Sequence, residues 1–277
     1  MSLAPDAHIF EAARKAHLAV TVHDRAAFEG MRKAGRLAAE VLDLMVPLVR
    51  PGVTTQALDN VAYDYTLARG ALPACLGYRG YRHTICTSIN HVVCHGIPGD
   101  KPLREGDILN IDVTVILDGW HGDTSRMYPV GEVKLKSQRL MDVTYESMRR
   151  GIAAVKPGAT TGDIGHAIQS YAEGQERCAV VRDFCGHGLG RIFHALPNVV
   201  HYGKPGQGIM LKPGMFFTIE PMINLGAYGV KVLNDGWTAV TRDRSLSAQF
   251  EHSVGVTENG VEIFTLSPKG WDKPPYQ

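Results

Sequence analysis

The chain has 277 residues and 44% hydrophobic residues, enough to bury the core of one large domain or of two closely packed halves. Its formal net charge of +1 gives no electrostatic reason to expect a nucleic-acid or membrane partner. No apolar run approaches the ~20 residues of a membrane helix, and the apolar patch at residues 17–22 is too short for a secretion signal. The five cysteines lack Cys-x-x-Cys spacing, which favours free thiols in a reducing cytoplasm.

Two helices are predicted near the start of the chain. Apolar residues recur at helical spacing from Arg25 to Val49, which predicts a long amphipathic helix that Arg50-Pro51-Gly52 ends. Thr54 or Thr55 then offers an N-cap for a second helix, which we expect to run to about Arg69.

A hairpin with two acidic side chains follows. Apolar and polar residues alternate along Ile108–Leu117, which predicts a half-buried strand, and Asp118-Gly119 predicts a tight turn after it. If the turn has two residues, Thr114 pairs with Asp123, and Asp123 lies on the face that carries Asp112. Carboxylates placed roughly 7–8 Å apart in this way repel unless a cation lies between them. The alternatives are two solvated aspartates on an exposed face, or a β-bulge that reverses the parity.

The second half of the chain repeats the first. Residues 49–58 align with residues 155–164 at an offset of 106, and residues 103–112 align with residues 211–220 at an offset of 108. Because the two offsets nearly agree, we infer a duplicated α/β unit in which each copy has two helices followed by antiparallel strands. The copies are expected to pack around a pseudo-two-fold axis with a cleft between them.

The repeat brings further acidic residues to this cleft. Glu220 stands where Asp112 stands in the first half, and Glu251 lies in another strand-like run. His187 is flanked by glycines that let the backbone approach closely, and it offers a softer ligand. The four carboxylates, counting Asp123, carry a charge of −4 that two divalent cations balance. The set therefore predicts a two-metal site for Mn²⁺, Fe²⁺ or Co²⁺, and it also admits Zn²⁺.

Other catalytic motifs are missing from the sequence. It contains no His-Glu-x-x-His, Gly-x-Ser-x-Gly, Walker loop or Gly-x-Gly-x-x-Gly. Cys94 and His95 are adjacent, so on a strand they point to opposite faces and do not form a thiol–imidazole dyad.

Together the motifs resemble the bacterial type I methionine aminopeptidases, over about residues 25–266. The resemblance rests on Cys94-His95-Gly-Ile-Pro, Asn110-Ile-Asp112-Val-Thr, His121-Gly-Asp123-Thr, Cys185-Gly-His187-Gly-Leu-Gly-Arg, Thr218-Ile-Glu220-Pro-Met and Glu251-His. It implies an α+β "pita-bread" fold with a central antiparallel sheet, helices on the outer face, and pseudo-repeats at about 25–130 and 131–266. Residues 1–24 are then an N-terminal extension, and residues 267–277 are expected to form a loose tail.

The resemblance also assigns roles to residues. It implies that a dinuclear metal centre is ligated by Asp112, Asp123, His187, Glu220 and Glu251. It implies that Glu220 takes a proton from the attacking water, and that His95 and His194 contact the substrate and stabilise the transition state. It implies that a pocket for the methionine side chain is lined by Cys75, Tyr78, Tyr81, Cys86, Phe193 and Trp237. Without the resemblance these aromatic residues would be assigned to the core.

Several further expectations follow from the resemblance. It implies a monovalent-cation site at Asn90, Val92 and Ser247. It implies removal of the initiator methionine from new polypeptides whose second residue is small, by a cytoplasmic monomer that associates weakly and transiently with the ribosome. The loop Asn224–Lys231 is poor in lysine, which argues against strong electrostatic docking there. Arg79 stands where the family commonly has a histidine.

Two rival functions remain open. A peptidase of the same fold that acts on Xaa-Pro bonds shares the five ligands, although such relatives usually carry a large N-terminal domain, and about two dozen residues precede the repeat here. A non-catalytic pita-bread protein that binds nucleic acid or proteins predicts lost ligands and a basic surface. All five ligands are present, and the net charge is close to zero.

Overall fold

A computed structural model describes residues 20–276 of the chain. Its helices are Arg25–Met45 (α1), Thr55–Ala68 (α2), Leu135–Ala153 (α3) and Thr161–Gln169 (α4), which continues into a π-helical turn at Ser170–Gln175. Its strands are Leu72–Pro73 (β1), Ile85–Ile89 (β2), Val92–Cys94 (β3), Ile108–Leu117 (β4), Trp120–Pro129 (β5), Ala179–Val180 (β6), Gly186–Gly188 (β7), Ala195–Val199 (β8), Phe216–Ile219 (β9), Met222–Asn224 (β10), Val230–Val232 (β11), Ala239–Thr241 (β12), Ser247–Gln249 (β13), Glu251–Val256 (β14) and Val261–Ile263 (β15). Within this range, none of the helices has the length and apolar character of a membrane span.

Helix α1 is shorter than its apolar pattern predicts. Asp24 caps it by accepting the Ala27 N–H at 2.9 Å. The helix ends at Met45 and does not continue to Val49, because Pro47 has no N–H to donate and its ring would clash with the preceding turn. Helix α2 begins at the predicted cap, Thr54, and ends one residue before Arg69.

The two halves of the chain share their local geometry. In each half a threonine, Thr54 or Thr160, caps the second helix by accepting the N–H three residues later. The segment before each cap pairs with the segment before the next long strand. The matching backbone bonds run from Gly52 N–H to Leu103 O (2.9 Å) and from Gly158 N–H to Leu211 O (3.0 Å).

A nine-stranded antiparallel sheet joins the halves. Its order is β1-β4-β5-β14-β9-β7-β8, with β2 also paired to β4 and β15 also paired to β14. Apolar residues of α1 and α2 pack on the β4 side of the sheet, and those of α3 and α4 pack on the β9 and β14 side. Two three-stranded sheets, β13-β10-β6 and β11-β12-β3, complete the described part of the fold. The face of the large sheet opposite the helices is therefore available for a site.

The β4–β5 hairpin has the predicted register. Asp118 and Gly119 take positive φ angles of 51° and 76°, and Thr114 pairs with Asp123. The expectation of a half-buried strand is wrong, because the polar face is also covered. Thr114 is only 1% exposed, and Asn110 donates from Nδ2 to the Gln249 carbonyl at 2.9 Å. Gln249 of strand β13 lies over Asn110, at one end of this face.

The C-terminal residues are irregular, but they are not loose, so this expectation also needs correction. Ser267 donates from Oγ to Asp43 of α1 at 2.8 Å, and Asp43 in turn pairs with the fully buried Arg126 at 2.5 Å. Tyr276 donates from its hydroxyl to the Met127 carbonyl at 2.6 Å. These buried polar contacts hold residues 267–276 against the domain. Gln277 and residues 1–19 of the predicted extension lie outside the described residues.

Candidate metal and substrate site

Strand register brings the predicted acidic residues into one row. Asp112 on β4 pairs with Ser125 on β5, and Ser125 also pairs with Glu251 on β14. On the other side of β14, His252 pairs with Ile219, the last residue of β9, so Glu251 lies beside Glu220. Three carboxylates from both halves of the chain therefore lie in one row across the sheet, with Ser125 between Asp112 and Glu251.

Asp123 and His187 complete the cluster. His187 Nε2 lies 3.5 Å from Asp123 Oδ2 and 3.7 Å from Glu220 Oε1. The other ring nitrogen, Nδ1, lies 3.2 Å from the Gly188 carbonyl, which leaves Nε2 to face the acids. One ligand atom each from Asp123, His187 and Glu251 fall within 4.8 Å of one another. The structure thus brings together all five residues that the sequence predicted as ligands.

Two buried threonines orient this cluster, and the sequence analysis missed both. Thr114 donates from Oγ1 to Asp123 Oδ1 at 2.7 Å. Thr218 donates from Oγ1 to Glu220 Oε1 at 2.7 Å and accepts the His187 backbone N–H at 3.0 Å. The predicted pairing of Thr114 with Asp123 was a signal for the first contact. Thr218 lies two residues before Glu220, and that spacing was a signal for the second.

Two further residues hold Glu220 and carry no local sequence signal. His201 accepts the Glu220 backbone N–H at its Nε2, at 3.1 Å, just where β9 ends. Gln249 donates from Nε2 to Glu220 Oε2 at 3.3 Å. Both residues are buried and come from strand ends that are distant in sequence. Only the folded chain places them beside Glu220.

Three acids of this cluster, Asp112, Glu220 and Glu251, have raised pKa values. Burial, followed by the charge of Asp123, raises the pKa of Asp112 and of Glu251 well above the ordinary range. Burial also raises the pKa of Glu220 to about 7. Burial alone would lower the pKa of His187, but its contacts with Asp123 and Glu220 raise it. Burial therefore disfavours the charged form of these three carboxyl groups when no cation is bound.

The residues fit a divalent cation. Asp112 Oδ1 is buried and has no hydrogen-bond partner in the described chain, although a carboxylate oxygen in that position needs one. A cation at the cluster would satisfy this oxygen and replace the protons that burial imposes. The donors are carboxylate oxygens and one imidazole nitrogen, which suits Mn²⁺, Fe²⁺ or Co²⁺ and admits Zn²⁺.

The cluster forms the floor of a cavity of about 330 Å³. His95 and His194 line it, and so do all six predicted pocket residues: Cys75, Tyr78, Tyr81, Cys86, Phe193 and Trp237. His95 follows β3 with a φ of 55°, a conformation rarely adopted away from glycine, so it does not lie on the strand with Cys94. Burial lowers the pKa of His95 and brings that of His194 to about 3, so both rings are neutral at neutral pH.

The residues predicted to bind a monovalent cation lie together but outside the cavity lining. Ser247 donates its backbone N–H to the Asn90 carbonyl at 2.8 Å, and Val92 pairs with Val240 in the β3–β12 ladder. The Ser247 hydroxyl is buried without a partner among the described residues.

Comparison with known proteins identifies the class to which this fold and site belong. The model of metallopeptidase family M24 matches residues 29–258. The chain is 58% identical to a methionine aminopeptidase of Rickettsia prowazekii over 260 residues, which cover 94% of this chain and 100% of that relative. The chain belongs to metallopeptidase family M24. The family resemblance and the enzyme class predicted from the sequence are confirmed.

Solved structures confirm the predicted fold class. The crystal structure of the methionine aminopeptidase from Rickettsia prowazekii superposes with a TM-score of 0.89 at 58% identity, covering 90% of this chain and 100% of that one. A prolidase from Pyrococcus furiosus superposes with a TM-score of 0.72 over 93% of this chain and 68% of that one, but at 19% identity it shows the fold alone.

Proposed function

We propose that this chain is a methionine aminopeptidase that uses two divalent metal ions to remove the N-terminal methionine from new polypeptides whose second residue is small. The observation that carries the proposal is the buried cluster of four carboxylates and His187 at the floor of a cavity lined by aromatic rings and thiols. The relative from Rickettsia prowazekii, which is 58% identical, is named a methionine aminopeptidase. The proposed setting is the cytoplasm, where the enzyme acts as a monomer.

The five clustered residues would hold the ions. Asp112 and Asp123 come from the first half of the chain, and His187, Glu220 and Glu251 come from the second. Four negative charges support two divalent cations, whereas a single ion would leave buried charge uncompensated. When bound, the ions supply Lewis-acid activation of water and of the scissile carbonyl.

Side chains of this protein transfer the protons and stabilise the developing charge. Glu220, which lines the cavity, can take a proton from the attacking water at one carboxylate oxygen and return it to the leaving amine. His194 is neutral and keeps one ring N–H, which can donate to the oxygen of the scissile carbonyl as negative charge develops there. His95, neutral for the same reason, is assigned to the scissile nitrogen.

The cavity wall supports a preference for methionine. A hydrogen bond with Cys86, followed by burial, raises the pKa of Cys75, so its thiol stays uncharged. The Tyr81 hydroxyl donates to the Ile85 carbonyl at 3.0 Å. An uncharged wall of rings and thiols suits an unbranched thioether. His194 packs against both Tyr78 and Phe193, with ring centroids 5.1 and 4.1 Å away, and we assign the exclusion of large second residues to this crowding.

A peptide panel tests the proposal. The protein is stripped with a chelator and reloaded separately with Mn²⁺, Fe²⁺, Co²⁺ or Zn²⁺. We expect at least one metal to restore methionine release from Met-Ala and Met-Gly peptides, with no release from Met-Lys peptides. Activity that survives the chelator would overturn the metal requirement. Cleavage of Ala-Pro peptides in place of Met-Ala would support the Xaa-Pro alternative.

A further inference from the structure

The mouth of the cavity carries a single cationic side chain. Among the described residues that line the cavity, Arg79 is the only lysine or arginine. It is exposed, and no carboxylate of residues 20–276 lies within 4.0 Å of its guanidinium. Asp183, the exposed acidic residue of the cavity lining, does not pair with Arg79 either. The guanidinium is therefore available to a molecule that enters or leaves the cavity.

The loop that carries Arg79 is fixed by its own backbone. Three residues in it take positive φ angles: Gly77 (85°), Arg79 (47°) and Gly80 (87°). The Gly77 N–H donates to the Tyr81 carbonyl at 2.8 Å and closes the turn. A left-handed arginine between two such glycines is strained and persists only where the surrounding structure holds it. The turn thus presents the Arg79 side chain at a defined place on the rim.

Arg79 stands one aromatic ring away from the reacting groups. Its guanidinium carbon lies 5.3 Å from the centroid of the Tyr78 ring, and that ring stacks on His194 with centroids 5.1 Å apart. Burial is the main reason that the pKa of His194 is low, but the charge of Arg79 also contributes. A polypeptide that extends past His194 therefore meets this cation soon after its second residue.

We propose that Arg79 is a specificity-determining residue that makes the enzyme favour polypeptides with an acidic side chain at the third or fourth position. The inference rests on the proposed function, since it concerns the same substrate. Arginine is suited to this role because its planar guanidinium binds a carboxylate through two parallel hydrogen bonds and its long side chain reaches into solvent. The short side chain of Asp183 reaches less far, and its neighbour Phe184 packs on His95, with centroids 5.5 Å apart.

The test uses amidated peptides, so that only side chains differ in charge. The pairs are Met-Ala-Glu-Leu with Met-Ala-Gln-Leu and Met-Ala-Ala-Glu with Met-Ala-Ala-Gln, with Lys versions of each. We expect kcat/KM in the order Glu, Gln, Lys at one of the two positions, with Glu ahead of Gln by about 1.5- to 5-fold at low salt, the range for exposed ion pairs. The advantage should lie mainly in KM and should shrink in 0.5 M salt, where the Debye length is about 4 Å.

Variants then localise the effect. Arg79→Gln should bring the Glu/Gln ratio to 1, Arg79→Glu should invert it in favour of Lys, and Arg79→Lys should retain part of it. The matched control is Arg82→Gln, which removes the same charge three residues away, at an exposed side chain outside the cavity lining. It should leave the ratio unchanged, and Asp183→Asn should preserve or raise it.

The outcomes separate this inference from the proposed function. Release of methionine from the neutral peptides by wild type and by Arg82→Gln reports the basic activity, and the Tm of Arg79→Gln reports the integrity of its fold. A wild-type Glu/Gln ratio of 1 or less at both positions would overturn the role of Arg79 while leaving the aminopeptidase assignment intact. A ratio that survives Arg79→Gln, or that Arg82→Gln removes equally, would overturn it as well.

Discussion

The two halves of the molecule present their acids to the same cavity by different means. In the first half Asp112 sits in the middle of Ile108–Leu117, a strand of ten residues whose partner runs alongside it for its full length. In the second half the equivalent strand, Phe216–Ile219, has four residues and ends just before Glu220. Pro221 follows and has no N–H with which to continue the ladder.

This difference shows that a duplicated unit can keep the position of a side chain and change what holds it there. The first half relies on strand register, which places Asp112 and Asp123 without help from distant residues. In the second half Glu220 stands just past the end of β9, and hydrogen bonds with Thr218, His201 and Gln249 help to hold it there. Changes in the two halves should therefore have different consequences.

The largest effects should come from neutralising one acid in each half. Asp112→Asn and Glu220→Gln preserve shape but remove a charge that the ions need. We expect kcat/KM on a Met-Ala peptide to fall at least about 100-fold for each, since groups that stabilise charge in a transition state have effects of this size. The kcat/KM of Glu220→Gln should fall further, because this variant also lacks the proposed proton acceptor. Metal content is measured in parallel, and a variant that keeps a tenth of the wild-type activity contradicts its assignment.

The supporting threonines should show the asymmetry more directly. Thr218→Val should lower metal affinity or kcat/KM by about 10- to 100-fold, the usual range for residues that orient a metal ligand. This variant removes one hydrogen bond to Glu220 and leaves the buried His187 N–H without its acceptor. Thr114→Val removes one contact to Asp123, which register still holds, so its effect should be smaller.

Serine variants are the matched controls for this pair. Thr218→Ser and Thr114→Ser keep the hydroxyl and should restore most of the metal affinity, measured by calorimetry on stripped protein. If valine and serine at position 218 behave alike, the loss comes from packing and the hydrogen-bonding role of Thr218 is wrong. If Thr114→Val costs as much as Thr218→Val, the proposed difference between the halves fails.

The smallest effect concerns pH. Burial raises the folded-state pKa of Glu220 from 4.5 to about 7 and those of Asp112 and Glu251 in the same direction. These three carboxyls thus bind more protons in the metal-free folded protein than in the unfolded chain, so their contribution to stability should fall as pH rises from about 4.5 towards and beyond 7. The buried neutral His194, His201 and His252, each with a pKa of about 3, act in the opposite direction below about 6.5. Metal binding displaces the carboxyl protons, and metal affinity should rise over the same interval as the carboxyls titrate.

Thermal unfolding from pH 5 to pH 8, with chelator or with Mn²⁺, measures this dependence. Because wild type and Glu220→Gln share the histidine contribution, the Tm of the stripped wild type should fall relative to that of the stripped variant as pH rises. Added Mn²⁺ should raise the wild-type Tm more at pH 8 than at pH 5. A difference in Tm between stripped wild type and stripped Glu220→Gln that stays constant over this range would contradict the raised pKa of Glu220.

Much of the fold and of the site could be predicted because the signals are local. The Asp118-Gly119 turn and the alternating residues before it specify the hairpin register, and the Asp112–Asp123 geometry follows from that register. The repeated Pro-Gly and threonine segments marked the duplication. The predicted helix is longer than α1 because the apolar periodicity continues past Pro47, which the helix does not. The half-buried strand was wrong because no local pattern reveals that its polar face is also covered.

The sequence by itself determined the family, the duplicated architecture and the side chains that meet at the cleft, because turn geometry, strand alternation and motif spacing are properties of neighbouring residues. Only the tertiary structure decided how Glu220 is held, why residues 267–276 are anchored through Ser267 and Tyr276, and that Arg79 projects at the rim. These depend on contacts between segments far apart in the chain, such as His201 with Glu220, and on burial, which sets each pKa only after the chain has closed around the group.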